Sequence, residues 1–162
     1  MVRELTTGQE QVFTDPAYDE SPLFGEITWS RDGTKLYYAW ERQGAVSTDA
    51  IASLVELTVT PAATPRVLTE VPGAAMTNPL AWDDGITVSV LLRPLQPDGS
   101  AGPRDGELLV DATTGEVRHT TLAGVLDRSV NRTSGEQLIV RSDGHLIVGA
   151  ADLGPGYAVA AW

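Results

Sequence analysis

Apolar and polar positions alternate with a period of two along most of this chain. Ile27 and Trp29 share a face of one run, which stops at Ser30-Arg31-Asp32-Gly33; Leu36, Tyr38 and Trp40 share a face of the next. Further on, Ile86, Val88, Val90 and Leu92 point one way, with Thr87 and Ser89 opposite. Alternation carried by β-branched and aromatic residues, with Pro and Gly between the runs, predicts half-buried strands. Asp49 could cap a helix, but Leu54-Val-Glu-Leu-Thr-Val59 alternates, so a loop leading into a strand is expected there. The last part of the chain reads as Gln137-Leu-Ile-Val140, a Ser142-Asp143-Gly144 hairpin turn, His145-Leu-Ile-Val148, and Tyr157-Ala-Val-Ala160 as a final strand.

The runs repeat. Trp29-Ser-Arg-Asp32-Gly33 is echoed by Trp82-Asp-Asp84-Gly85, fifty-three residues on, and more weakly by Asn131-Arg-Thr-Ser134-Gly135. A second series pairs Thr7-Gly8-Gln-Glu-Gln-Val12 with Thr114-Gly115-Glu-Val117, and between them Thr60-Pro61 leads into Arg66-Val67-Leu68-Thr69. Each unit then reads strand, Asp-Gly turn, strand, loop, strand, Thr-Gly turn, strand. That is a four-stranded meander, the unit of a β-propeller blade. The expected fold is all-β: a partial β-propeller of about three four-stranded antiparallel blades. A β-sandwich or small barrel is the alternative, and the regular repeat speaks against it. Residues 1–14 would supply the last two strands of a blade, 24–70 and 76–122 one full blade each, and 125–162 a third. In the turns, Asp32 would accept backbone N–H bonds and Gly33 would take positive φ. Trp29 and Trp82 would be buried between blades. Rings usually hold four to eight blades, so the chain is expected to be a piece of a longer one or a half-ring that pairs with a copy of itself.

Composition narrows the partners more than the fold. Eleven basic against twenty-two acidic residues leave a net charge of −11, which disfavours nucleic acid as a partner. The bias to Arg over Lys (Lys35 is the single lysine) and to Ala, Gly and Val reads as that of a high-GC bacterial genome. There is no Cys, hence no disulfide, thiol chemistry or cysteine-ligated metal. No apolar run is long enough to span a membrane, and Met1-Val-Arg-Glu-Leu5 has no apolar signal region. The compartment stays open: cytosolic, or extracytoplasmic if a targeting segment has been removed.

No motif for chemistry stands out. The two histidines, His119 and His145, lie in no nucleophile-elbow or zinc-ligand pattern. Asp98-Gly-Ser-Ala-Gly-Pro-Arg104-Asp105-Gly106 lacks the ligand spacing and terminal Glu of a calcium loop and reads as a flexible connection. Asn131-Arg-Thr133 matches a glycosylation sequon, irrelevant in a bacterial protein. No enzyme activity, metal or cofactor is expected. One constellation points to binding. In a stack of meanders, the loops between second and third strands and the links between units emerge at one end. The longer connections (Thr14 to Phe24, Arg42 to Ala50, Glu70 to Pro79, Arg93 to Asp105) fall there, and such loops tend to carry function. They would gather Asp15, Tyr18, Asp19, Glu20, Asp49, Glu70, Asp98, Arg104 and Asp105 on one acidic face, suited to a basic peptide, a partner's basic patch or a cation.

Ser30-Arg-Asp32-Gly33-Thr-Lys-Leu36-Tyr-Tyr38 resembles the repeat of TolB-type propellers, in which Trp-Ser-Pro-Asp-Gly precedes a strand. Asp111-Ala-Thr-Thr-Gly115-Glu-Val-Arg118 is similar to that family's turn between third and fourth strands, and Arg66-Val-Leu-Thr69 to its Arg-x-Leu-Thr ending. The resemblance covers most of residues 2–122; it departs at Arg31, where Pro is usual, and at Ser134-Gly135, which lacks Asp and Trp. It implies protein or peptide binding, ligand sensing, or a gating domain on a hydrolase. The function expected from the sequence is a non-enzymatic protein- or peptide-binding or scaffolding module. The alternative is a substrate-gating propeller domain for a hydrolase domain outside this chain.

Overall fold

The computed structural model describes residues 2–3, 8, 10–11, 23–42, 49–61, 63–104, 106–121, 124–131, 134 and 136–155. Their regular structure is all-β. A two-stranded ladder pairs β1 (Val2–Arg3) with β2 (Glu10–Gln11). Three four-stranded antiparallel meanders follow. The first sheet is β3 (Leu23–Trp29), β4 (Lys35–Arg42), β5 (Ile51–Thr58) and β6 (Arg66–Pro72). The second is β7 (Ala74–Ala81), β8 (Thr87–Pro94), β9 (Gly106–Asp111) and β10 (Val117–Thr121). The third is β11 (Val125–Val130), β12 (Gln137–Arg141), β13 (His145–Val148) and β14 (Ala151–Pro155). Among the described residues no helix is long and apolar enough to cross a membrane.

The three sheets share one local geometry. The first turn of each closes with the same bond: Ser30 N to Lys35 O, Trp82 N to Thr87 O, and Asn131 N to Glu136 O, each 2.9 Å. Every first strand also carries a register shift, at Phe24/Ile27, Thr77/Leu80 and Val125/Asp127. In the second sheet that bulge is built by Asn78 (φ 51) and Pro79, a proline placed where no ladder N–H is needed.

Stacking follows from the alternation. Tyr37, Ala39 and Leu54 of the first sheet pack with Met76, Val90 and Leu108 of the second in one buried apolar cluster. The first strand of the second sheet, β7, lies against β3, β4 and β5. β5 is buried on both faces, which is why Ile51-Ala-Ser-Leu-Val-Glu-Leu57 reads as a nearly continuous apolar run. Each fully buried aliphatic side chain here contributes about 1.5–3 kcal/mol relative to exposure.

Several boundaries differ from the sequence reading. Glu70 to Pro79 is not a long connection: β6 and β7 are joined by Gly73 alone, at φ 65, whose N–H bonds Ala50 O and whose carbonyl accepts from Leu95 N. Glu70 is therefore a strand residue, paired with Ser53. The fourth strand of the third sheet is Ala151–Pro155, whereas Tyr157–Ala160 lie outside the described residues. Gly149, at φ 58, closes a two-residue turn straight after β13 and brings the chain back early. Arg93 to Asp105 is more ordered than a flexible connection: Leu95 bridges Ala101, and Arg93 donates to Gly102 O at 2.9 Å and Ala101 O at 3.2 Å.

Candidate binding surface and the seam between sheets

Each sheet offers two ends. At one, the short first-to-second and third-to-fourth strand turns consume their acidic residues in local structure. Asp32 accepts from Ser30 Oγ at 2.7 Å, Thr34 Oγ1 at 2.8 Å and Thr34 N at 3.0 Å, and Gly33 sits at φ 71 as the turn requires. The Ser30 hydroxyl, with Thr34, pulls the Asp32 carboxyl down to about 2. Asp84 repeats the pattern with Ile86 N and Thr87 N, and Asp111 does so with Thr113 N and Thr114 N. In the third sheet Asn131, at the place of Ser30 and Trp82, accepts from Ser134 N at 3.2 Å. Arg31, which stands where the resembled repeat has Pro, reaches the next sheet's turn and donates to Asp83 O at 2.9 Å.

The predicted acidic face belongs to the other end. Asp15, Tyr18, Asp19, Glu20 and Asp105 lie outside the described residues. Asp49 is exposed just before β5. Glu70, on β6, accepts from Ser53 Oγ at 3.2 Å. Asp98 is occupied by its own turn, accepting from Ser100 N at 2.9 Å and Ser100 Oγ at 2.6 Å, and these bonds hold its carboxyl below the usual range. Arg104 is largely covered and lies 3.7 Å from Asp127. Among the described residues no group of His, Cys, Asp and Glu has a metal-holding arrangement.

The two tryptophans are not where the sequence reading put them. Trp29 is 38% exposed and Trp82 37%. Trp29 shares a face with Leu36, its cross-strand partner, on the side of the first sheet turned away from the second. Trp82 matches Ser30 rather than Trp29, because the turn bonds repeat one residue out of step with the tryptophans. Ile27, beside Trp29 on the same face, is 60% exposed.

Sequence reasoning missed a buried polar joint between the second and third sheets. Arg128 of β11 is buried, pairs with Glu107 of β9 and donates to Ser89 Oγ of β8 at 2.7 Å. Thr120 Oγ1 donates to Glu107 Oε2 at 3.3 Å. Burial pushes the Arg128 guanidinium down to about 10, still cationic at neutral pH. Beside it, Asn78 Nδ2 donates to Asp127 Oδ1 at 2.5 Å and Arg128 O at 3.4 Å. The signal was available: Glu107 and Arg128 occupy inward positions of alternating strands, where a charge needs a partner. His145, read from sequence as a turn-flanking strand residue, opens β13 and places Nδ1 2.9 Å from Asp152. The backbone N–H of His145 donates to Asp143 Oδ1 at 3.2 Å. His119 lies in β10 against the backbone of Gly106.

No family model, curated protein or solved structure matches the chain.

Proposed function

We propose that this chain is a non-catalytic module of a TolB-like β-propeller, its meanders serving as blades, and that it binds a protein or peptide carrying basic groups. The observation that carries this reading is the threefold recurrence of one meander with the same turn bond and the same bulged first strand, the first strands of the second and third packing on the sheet before. A repeated stack of this kind presents extended surfaces rather than a single enclosed centre. The polar residues of the described turns and of the Arg128 joint are engaged in holding the fold, which favours recognition over bond-making as the work of this chain. The net charge of −11 favours a basic partner and opposes a polyanion.

The test is a fluorescence-anisotropy titration with a labelled Arg/Lys-rich peptide at low and physiological salt. The wild type should bind more weakly as salt rises. Charge reversal at Asp15, Asp19, Glu20 and Asp49 together should weaken binding at least tenfold. Equal affinity for the reversed variant and the wild type would remove the acidic face from the proposal.

A further inference from the structure

We propose that Asp143-Gly144, in the turn between β12 and β13, is a site of covalent self-modification, where aspartate converts to isoaspartate through a succinimide ring. The chemistry favours a glycine after the aspartate, because a side chain there hinders ring closure. Four such pairs stand among the described residues: Asp32-Gly33, Asp84-Gly85, Asp98-Gly99 and Asp143-Gly144. In the first step the Gly144 nitrogen bonds to Asp143 Cγ, and the carboxyl's hydroxyl leaves as water with the amide proton. Water then adds to either ring carbonyl. Opening at Cγ restores aspartate. Opening at the main-chain carbonyl leaves the chain running through Cγ, with one extra methylene and a free α-carboxylate. One water leaves and one returns, so no oxidant, reductant or cofactor enters.

The fold selects among the four pairs through the carboxyl. All four glycines have positive φ, from 71 to 84, and each donates its N–H to the carbonyl three residues before it at 2.9–3.2 Å. The attacking nitrogen is therefore held alike in every pair. Ring closure needs a carboxyl that is protonated and free to turn toward it. Asp32 is fixed by three bonds, two of them from hydroxyls. Asp84 accepts from Ile86 N at 3.0 Å, Thr87 N at 2.8 Å and Thr87 Oγ1 at 2.5 Å. Asp98 is held by both Ser100 N and Ser100 Oγ. A Thr or Ser two or three positions on supplies a hydroxyl to each of these. After Asp143 those positions are His145 and Leu146. Asp143 accepts the single His145 N–H bond at 3.2 Å, and its Arg141 neighbour, 3.4 Å away, forms a pair between half-exposed side chains that holds it weakly.

The test is incubation of the folded chain at physiological temperature and neutral pH, followed by peptide mapping with fragmentation that tells isoaspartate from aspartate. Isoaspartate should accumulate at Asp143 several-fold faster than at Asp32, Asp84 or Asp98. In urea the four rates should draw together, because the unfolded chain holds no carboxyl in place. His145→Thr, which supplies the missing hydroxyl, should slow the reaction at Asp143 to the level of the other three. Asp143→Glu, whose closure needs a larger ring, should abolish the product at this position. Should either variant fail to fold, the wild-type rates in buffer and in urea decide alone. Accumulation at Asp143 no faster than at the other three, a preference that persists in urea, or an unchanged rate in folded His145→Thr overturns the inference.

Discussion

At Asp32 a single carboxylate organises a turn by accepting three hydrogen bonds from residues two positions away. All three need it ionised, so its folded value of about 2 lies below the ordinary 3.8. The sign of the pH effect follows. The turn's contribution is complete above pH 4 and is lost as pH falls through 2. Asp98, Asp111 and Asp152 are lowered by the same kind of bond and add to the slope. Thermal melts should show the unfolding midpoint dropping steeply between pH 4 and pH 2, and Asp32→Asn, which cannot titrate, should flatten that drop. An identical slope in wild type and variant would remove Asp32 from the acid response. This turn was legible in the sequence because its chemistry is local: Asp, Gly and the residues they bond lie within six positions. Trp29 was misread for the opposite reason. A tryptophan in an alternating strand has its face set by its neighbours, but whether that face is covered depends on what lies across it, and no local pattern carries that information.

Strands and their order were legible because hydrophobic alternation and Gly-containing turns both report backbone geometry directly. The joints between sheets were less so. The first and second sheets meet through Tyr37, Leu54, Val90 and Leu108, a dry contact that alternation anticipates. The second and third meet through Arg128, Glu107 and Ser89, residues from three strands that come together only after folding. Asp98 and Glu70 were placed by loop length: Asp98 is tied into its own turn, and Glu70 sits in a strand, since Gly73 makes the link between sheets far shorter than the sequence suggests. The buried joint allows a sharp test. Glu107→Leu leaves Arg128 buried without its counter-charge and should destabilise by about 3–5 kcal/mol in urea unfolding. Adding Arg128→Met removes the orphaned charge and should recover most of that loss, because an apolar pair of similar volume needs no desolvation. Additive losses in the double variant would mean that the two side chains are not coupled across the joint.

For the molecule as a whole, the difference between the two joints predicts unequal stability along the stack. The continuous apolar cluster is built from the first and second sheets alone. The third sheet reaches its neighbour chiefly through β11 against β7, with a buried ion pair whose desolvation offsets much of its attraction. In a stack where each unit contacts only its neighbours, stability is close to a sum of unit and joint terms, so the unit with the weaker joint opens first. Amide hydrogen exchange under native conditions should find the slowest exchange in β5, β8 and β9, whose residues are buried on both faces. β12 and β13 should exchange faster and as a group. Glu107→Leu should speed exchange in β11–β13 while leaving β4 and β5 nearly unchanged, since the first joint does not involve Glu107. Equal protection across all three sheets, or a uniform acceleration in the variant, would mean that the sheets open as one unit and that the apolar and polar joints hold equally well.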